Sequence, residues 1–123
     1  MATGSINVIF YQEELNRAPA MDWLSDQPEK VQDKFDWLIA LLEQKGGSLS
    51  RPHAAPLRDK VYELRVRHQQ VNYRLLYFFY GRAAAIITHG CTKDAEVDEA
   101  DINRAISRMA RFLNEPEAHT YGE

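Results

Sequence analysis

The stretch that decides the fold is Val61-Tyr62-Glu63-Leu64-Arg65-Val66-Arg67-His68, with the two runs that follow it, Tyr73-Arg74-Leu75-Leu76-Tyr77-Phe78-Phe79-Tyr80 and Ala83-Ala84-Ala85-Ile86-Ile87-Thr88-His89. All three are rich in β-branched, aromatic or small apolar residues. Short connections, Gln69-Gln70-Val71-Asn72 and Gly81-Arg82, make them antiparallel neighbours. Period two sets Glu63, Arg65 and Arg67 on one face of the first run and Tyr62, Leu64 and Val66 on the other. In the second run Tyr73, Leu75, Tyr77 and Phe79 point to the apolar face, while Arg74 and Tyr80 share the charged face with Leu76 and Phe78. That charged face is therefore expected to be partly covered. Arginines inside apolar strands are costly unless they meet water or an anion, so their convergence predicts a site for a phosphate.

Working outward, Ile6 to Tyr11 reads as a first strand and Met21-Asp22-Trp23-Leu24 as a short helix. A longer helix follows. Asp26 is its expected cap, Pro28 and Glu29 suit its first turn, and Val31, Phe35, Leu38, Ile39 and Leu42 recur at helical spacing. Gly46-Gly47 ends it. Ser48 to Pro56 reads as a loop. A last helix is expected from Asp98 to Leu113, with Ile102, Ala105, Ile106, Met109, Phe112 and Leu113 as its apolar positions and the natural role of covering the sheet. The sum is an α+β fold: an antiparallel sheet of about four strands with N-terminal helices and a C-terminal helix. Residues 1–113 form one domain in this reading, and 114–123 a polar, loose C-terminal tail.

The net charge of −3 argues against a nucleic-acid partner until its distribution is seen. Residues 51–82 carry seven Lys and Arg against two acidic residues, while 1–50 and 83–123 each carry four against eight. A basic middle between acidic flanks predicts a local anion site on a protein that is not generally sticky. The plainer reading is a solvated strand face. No apolar run is long enough to span a membrane, and Met1-Ala2-Thr3-Gly4-Ser5 lacks the start of a signal peptide. The single cysteine, Cys91, forbids an internal disulfide and fits a reducing cytoplasm. Cys91 with His89 makes too few ligands for a structural metal site, and no cofactor is expected.

Tyr62-Glu63-Leu64-Arg65-Val66-Arg67, then Tyr73-Arg74-Leu75-Leu76-Tyr77-Phe78-Phe79, then His89-Gly90 with Lys93 resembles the phage-derived branch of RelE/HigB-like type II toxins. The resemblance implies a RelE-like fold and a cytoplasmic, ribosome-dependent mRNA endonuclease that inhibits translation, paired with a helix-turn-helix antitoxin. In such enzymes the RNA 2′-hydroxyl attacks the adjacent phosphate without a metal. That chemistry needs proton removal, charge stabilisation and leaving-group protonation.

Carried over by position, Arg65, Arg67, Arg74 and Lys93 are the cationic candidates, with Arg58, Lys60 and Arg82 as further RNA contacts. Tyr80 is read either as a base-stacking ring or as a strand-end residue closing the core. Glu63 is either a base or the partner that orients Arg65, the nearby cations lowering its pKa and weakening it as a base. His68 and His89 are the imidazole candidates, each equally readable as a strand-end histidine bonded to backbone. His53 lies in the loop before the strands and can reach the site, while Trp23 and Trp37 read as core or partner-facing residues. The family's second lysine after the last strand is Asp94 here, which removes positive charge where RNA would sit. A non-catalytic RNA- or protein-binding module on the same fold is the alternative.

Overall fold

A computed structural model describes residues 5–92 and 96–122. Lys93 and Asp94 lie outside the described residues. The elements run β1 (Asn7–Phe10), α1 (Pro19–Ser25), α2 (Glu29–Lys45), β2 (Ala54–Pro56), β3 (Tyr62–His68), β4 (Val71–Tyr80), β5 (Ala84–Thr92) and α3 (Glu99–Asn114). The fold is α+β, as the pattern predicts, with one correction to the sheet. It has five strands in the order β1-β5-β4-β3-β2, and it is mixed, since β1 runs parallel to β5. The fifth strand, β2, arises inside the expected loop, where Ala54-Ala55-Pro56 pairs antiparallel with Tyr62 to Leu64.

The β3–β4 hairpin is tighter than its sequence suggests. Only Gln69 and Gln70 turn, both with positive φ (50° and 68°), and Val71 and Asn72 already belong to β4. That is the turn geometry whose twist matches antiparallel strands. The α2 cap also differs. Pro28 holds the N-cap position, and its carbonyl accepts the N–H groups of Val31 and Gln32 at 2.9 and 3.1 Å. Asp26 instead closes α1, its N–H donating to the Trp23 carbonyl at 3.2 Å.

The two sheet faces follow period two. Leu64, Val66, Tyr73, Leu75, Tyr77, Ala85 and Ile87 pack with Val31, Phe35, Leu38 and Leu42 of α2 into the main core. On the other face α3 covers only part of the sheet. Ile102 and Ala105 bury Leu76 and Cys91, and Phe112 buries Phe78, Ala84 and Ile86. Full burial of a ring such as Phe112 contributes about 1.5–3 kcal/mol.

One irregularity re-aims β5. Leu76 pairs with His89 but Tyr77 with Ile87, so Thr88 is an extra residue bulged out of register. Its hydroxyl donates to the Leu76 carbonyl at 3.3 Å. Strict alternation would send His89 and Cys91 to the side of Ile87. The bulge turns them towards α3 and turns Gly90 to the α1 side. There Trp23 of α1 lies against the Gly90 backbone, edge-on to Phe35 and Tyr73.

Residues 119–121 are tied back to the segment after β1. Beyond α3 and a short 3-10 turn, Gln12 N–H donates to the His119 carbonyl and Tyr121 N–H to the Phe10 carbonyl, both at 2.9 Å. The His119 ring stacks on Tyr11 at 5.1 Å. A buried aromatic partner was not foreseeable from a polar tail. Among the described residues no helix is long and apolar enough to cross a membrane.

A methyl group at Gly90 would overlap the Trp23 ring. Gly90→Ala is therefore expected to destabilise the fold by about 1–3 kcal/mol, read as a lower urea midpoint. An unchanged midpoint would mean that Trp23 does not pack there.

Candidate functional site

The register of the β3–β4 hairpin places Arg65 directly opposite Arg74. Like charges facing each other across a strand pair repel, and Glu63 offsets this. Its Oε1 is 3.0 Å from Arg74 Nε and its Oε2 is 4.0 Å from Arg65 Nε. Glu63 and Arg74 are 6% and 5% exposed, whereas Arg65 keeps a third of its side chain open. The carboxylate expected to orient Arg65 thus makes its closest contact with Arg74. Burial pushes the Glu63 carboxyl above its ordinary range, and Arg74, Arg65 and Arg51 pull it down without cancelling that effect. The expected lowering is therefore reversed, because desolvation outweighs the cations.

Two clefts meet over this group. The larger, about 450 Å³, has Arg51, Arg58, Glu63, Arg65 and Arg74 on its sheet side and Glu96, Val97, Glu99 and Ile102 on the α3 side. The second, about 350 Å³, shares Arg65 and Arg74 and continues past His53, Arg67 and Asn72. The loop before β2 reaches the site because Arg65 N–H donates to the His53 carbonyl at 2.9 Å. Arg51 joins the cleft by the same route. Its place was not legible in sequence, since it depends on a β2 pairing only three residues long.

Arg58 is engaged already. Its guanidinium meets Asp59 at 2.6 Å and Glu99 at 2.7 Å, and it also donates to Asn103. The α3 wall of the cleft is thus acidic and the sheet floor basic. Among the described residues no group of three or more His, Cys, Asp or Glu side chains is placed to hold a metal ion.

Residues 22–110 match the family described as phage derived protein Gp49-like (DUF891). The chain belongs to the Gp49-like family. That family is RelE/toxin-like, and its match covers every residue that lines the two clefts. No curated protein matches this Gp49-like chain.

Of the residues singled out in the sequence, the structure brings Arg58, Glu63, Arg65, Arg67 and Arg74 to the clefts. Others stand apart. Tyr80 lies six residues along β4 from Arg74, about 20 Å at strand rise, with its ring edge-on to Phe112 at 5.1 Å. Arg82 is exposed in the turn beyond it, and Lys60 is exposed in the turn before β3. His68 sits beside α2, its Nδ1 3.5 Å from Lys34 Nζ. Lys93 lies outside the described residues.

His89 is buried beneath α3. Its Nε2 is 3.3 Å from Asp101 Oδ1 and its Nδ1 is 3.1 Å from Thr88 Oγ1. Arg104 contacts the same Asp101 oxygen at 2.9 Å. Burial, helped by the Arg108 charge, lowers the imidazole from 6.5 to about 4 against the pull of Asp101. It lines neither cleft, because α3 covers it through Asp101.

Two outcomes are expected. The unfolded chain protonates this histidine near pH 6.5, the folded chain only near 4. The folded state therefore binds fewer protons in that window, so stability is full above pH 6.5 and falls as pH drops towards 4. His89→Gln should flatten this slope between denaturation curves at pH 7 and pH 5, and equal slopes would rule out the linkage. Glu63→Ala strips Arg74 of a buried counter-charge and should cost about 3 kcal/mol, whereas Arg65→Ala at the rim should leave the urea midpoint nearly unchanged.

Proposed function

We propose that this protein is the toxin of a type II toxin–antitoxin system, a metal-independent endoribonuclease that cuts mRNA on the ribosome and so inhibits translation. The observation that carries the reading is the buried Glu63–Arg74 pair presenting Arg65 into a basic-floored cleft. Membership of a RelE/toxin-like family supports it. The partners it implies are mRNA in the ribosome and a helix-turn-helix antitoxin, and the place of action is the cytoplasm.

In this mechanism the scissile phosphate lies over Arg65 and Arg74, where guanidinium groups contact its non-bridging oxygens in pairs. The 2′-oxygen attacks the adjacent phosphorus as its proton leaves. Negative charge grows on the phosphorane oxygens, and the fixed arginines stabilise it with little rearrangement. The P–O5′ bond then breaks and the leaving oxygen takes a proton, giving a 2′,3′-cyclic phosphate and a 5′-hydroxyl.

Glu63 is the positioning residue that fixes both guanidinium groups. Arg67 extends the cationic track, and Lys93 is a further cationic candidate from its sequence position alone. Of the histidines, His53 is the one lining the cleft beside Arg65 and Arg67, so it is better placed than His68 or His89 to move a proton.

The acidic α3 wall, with Glu96 and Glu99, motivates the second reading. A non-catalytic binding module on the same scaffold would keep the floor and hold RNA or protein without cleaving it.

Induced expression of the wild-type chain should arrest growth and Arg65→Ala should relieve the arrest, with the variant's circular dichroism and urea midpoint unchanged. Arg65 is the informative position, because Arg74→Ala would disturb the buried pair itself. Arrest that persists in folded Arg65→Ala would contradict the assigned site.

A further inference from the structure

The basic track does not end at Arg67. Because β2 pairs only with Tyr62 to Leu64, residues 65–68 of β3 have no strand on the edge away from β4 among the described residues. This open edge turns towards α2, and Lys34 Nζ donates to the Arg67 carbonyl at 3.2 Å. A groove of about 180 Å³ runs over the edge between Lys34, Trp37 and Leu38 on one side and His53, Arg65 and Arg67 on the other. It shares His53, Arg65 and Arg67 with the second cleft, so the two are continuous.

Trp37 is the residue here that the core does not explain. It is 57% exposed, although the four core residues of the same helix are buried. Its indole is held by an edge contact to the His53 ring, with centroids 5.2 Å apart and planes at 75°. Helical spacing sets Lys30, Lys34 and Trp37 along one stripe of α2, with Asp33 the acidic residue among them. An open aromatic ring among cations, at the mouth of a basic cleft, is the combination that binds single strands. Any base can stack on the ring while the cations hold the backbone.

We propose that this groove is a second nucleotide subsite for single-stranded RNA, in which a base stacks on Trp37 and Lys34 and Arg67 hold its flanking phosphate. The proposal rests on the RNA reading of the Arg65–Arg74 cleft. Charge favours RNA over a protein partner as the occupant, because the charged residues lining the groove, Lys34, Arg65 and Arg67, are all cationic.

The test is fluorescence anisotropy with a short labelled single-stranded RNA of mixed sequence, across a salt series. Trp37→Ala should weaken binding by roughly fivefold or more, and Trp37→Phe should retain most of the affinity. Lys34→Ala should reduce the salt slope by about 0.7. RNA should quench tryptophan emission in the wild type and not in Trp37→Phe, where only Trp23 remains.

Wild-type affinity in Trp37→Ala, with affinity lost in Arg65→Ala, would overturn the subsite and leave the main cleft standing. Unchanged affinity in both variants would overturn the RNA reading together with the subsite. Wild-type RNA affinity in Trp37→Ala with loss of antitoxin co-purification would assign the indole to protein docking and likewise overturn the proposal.

Discussion

The contact between Glu63 and Arg74, 3.0 Å apart and almost without solvent, is the constraint on which the site depends. A buried ion pair adds little net stability, because desolvation offsets most of its Coulomb attraction. What it supplies here is position. Arg65 and Arg74 face each other across the hairpin, and without the carboxylate between them their mutual repulsion would splay or expose them. With it, Arg74 is held at the base of the cleft and Arg65 at its rim before any ligand arrives. Preorganised charge of this kind is what stabilises a phosphorane, since it need not rearrange as the reaction proceeds.

The extent of that site is set by α3. Had the helix lain along the whole outer face, Arg65 would have been buried with Leu76 and Cys91. Instead Ile102, Ala105 and Phe112 cover the part of the face carrying Leu76, Phe78, Ile86 and Cys91, and the Arg65–Arg67 end stays open. Asp101 pins the helix through the buried His89, while Glu13 joins Arg108 and Arg111 at 2.7 Å to the loop after β1. The histidine that looks catalytic in the sequence thus sits with the group that fixes the cover.

Much of this was legible in the sequence for a local reason. Alternation in β3 and β4 depends on neighbouring residues alone, so it assigned Leu64, Val66 and Tyr77 to one face and Glu63, Arg65 and Arg74 to the other. The periodicity of α2 and α3 is equally local. What the sequence leaves hidden depends on pairing partners and burial rather than on adjacent residues. The three-residue β2, ending in proline, forms because β3 offers it an edge. The parallel β1–β5 pair joins residues 7–10 to 84–87, and a bulge of one residue at Thr88 decides where His89 points. Gly90 was the only local mark of that last feature. Burial raises the Glu63 carboxyl where spacing predicts a lowering, because spacing reports nearby charge but not burial.

The claim that Arg65 and Arg74 hold a phosphate under attack by its own 2′-hydroxyl is tested most directly by the chemistry of the cut ends. Purified protein should be added to translating ribosomes and both termini of every new mRNA break sequenced by end-specific ligation. Attack by the 2′-hydroxyl predicts 5′-hydroxyl ends matched to 2′,3′-cyclic phosphates, absent with Arg65→Ala. Breaks carrying 5′-phosphates and 3′-hydroxyls, or RNA bound without any new ends, would contradict it.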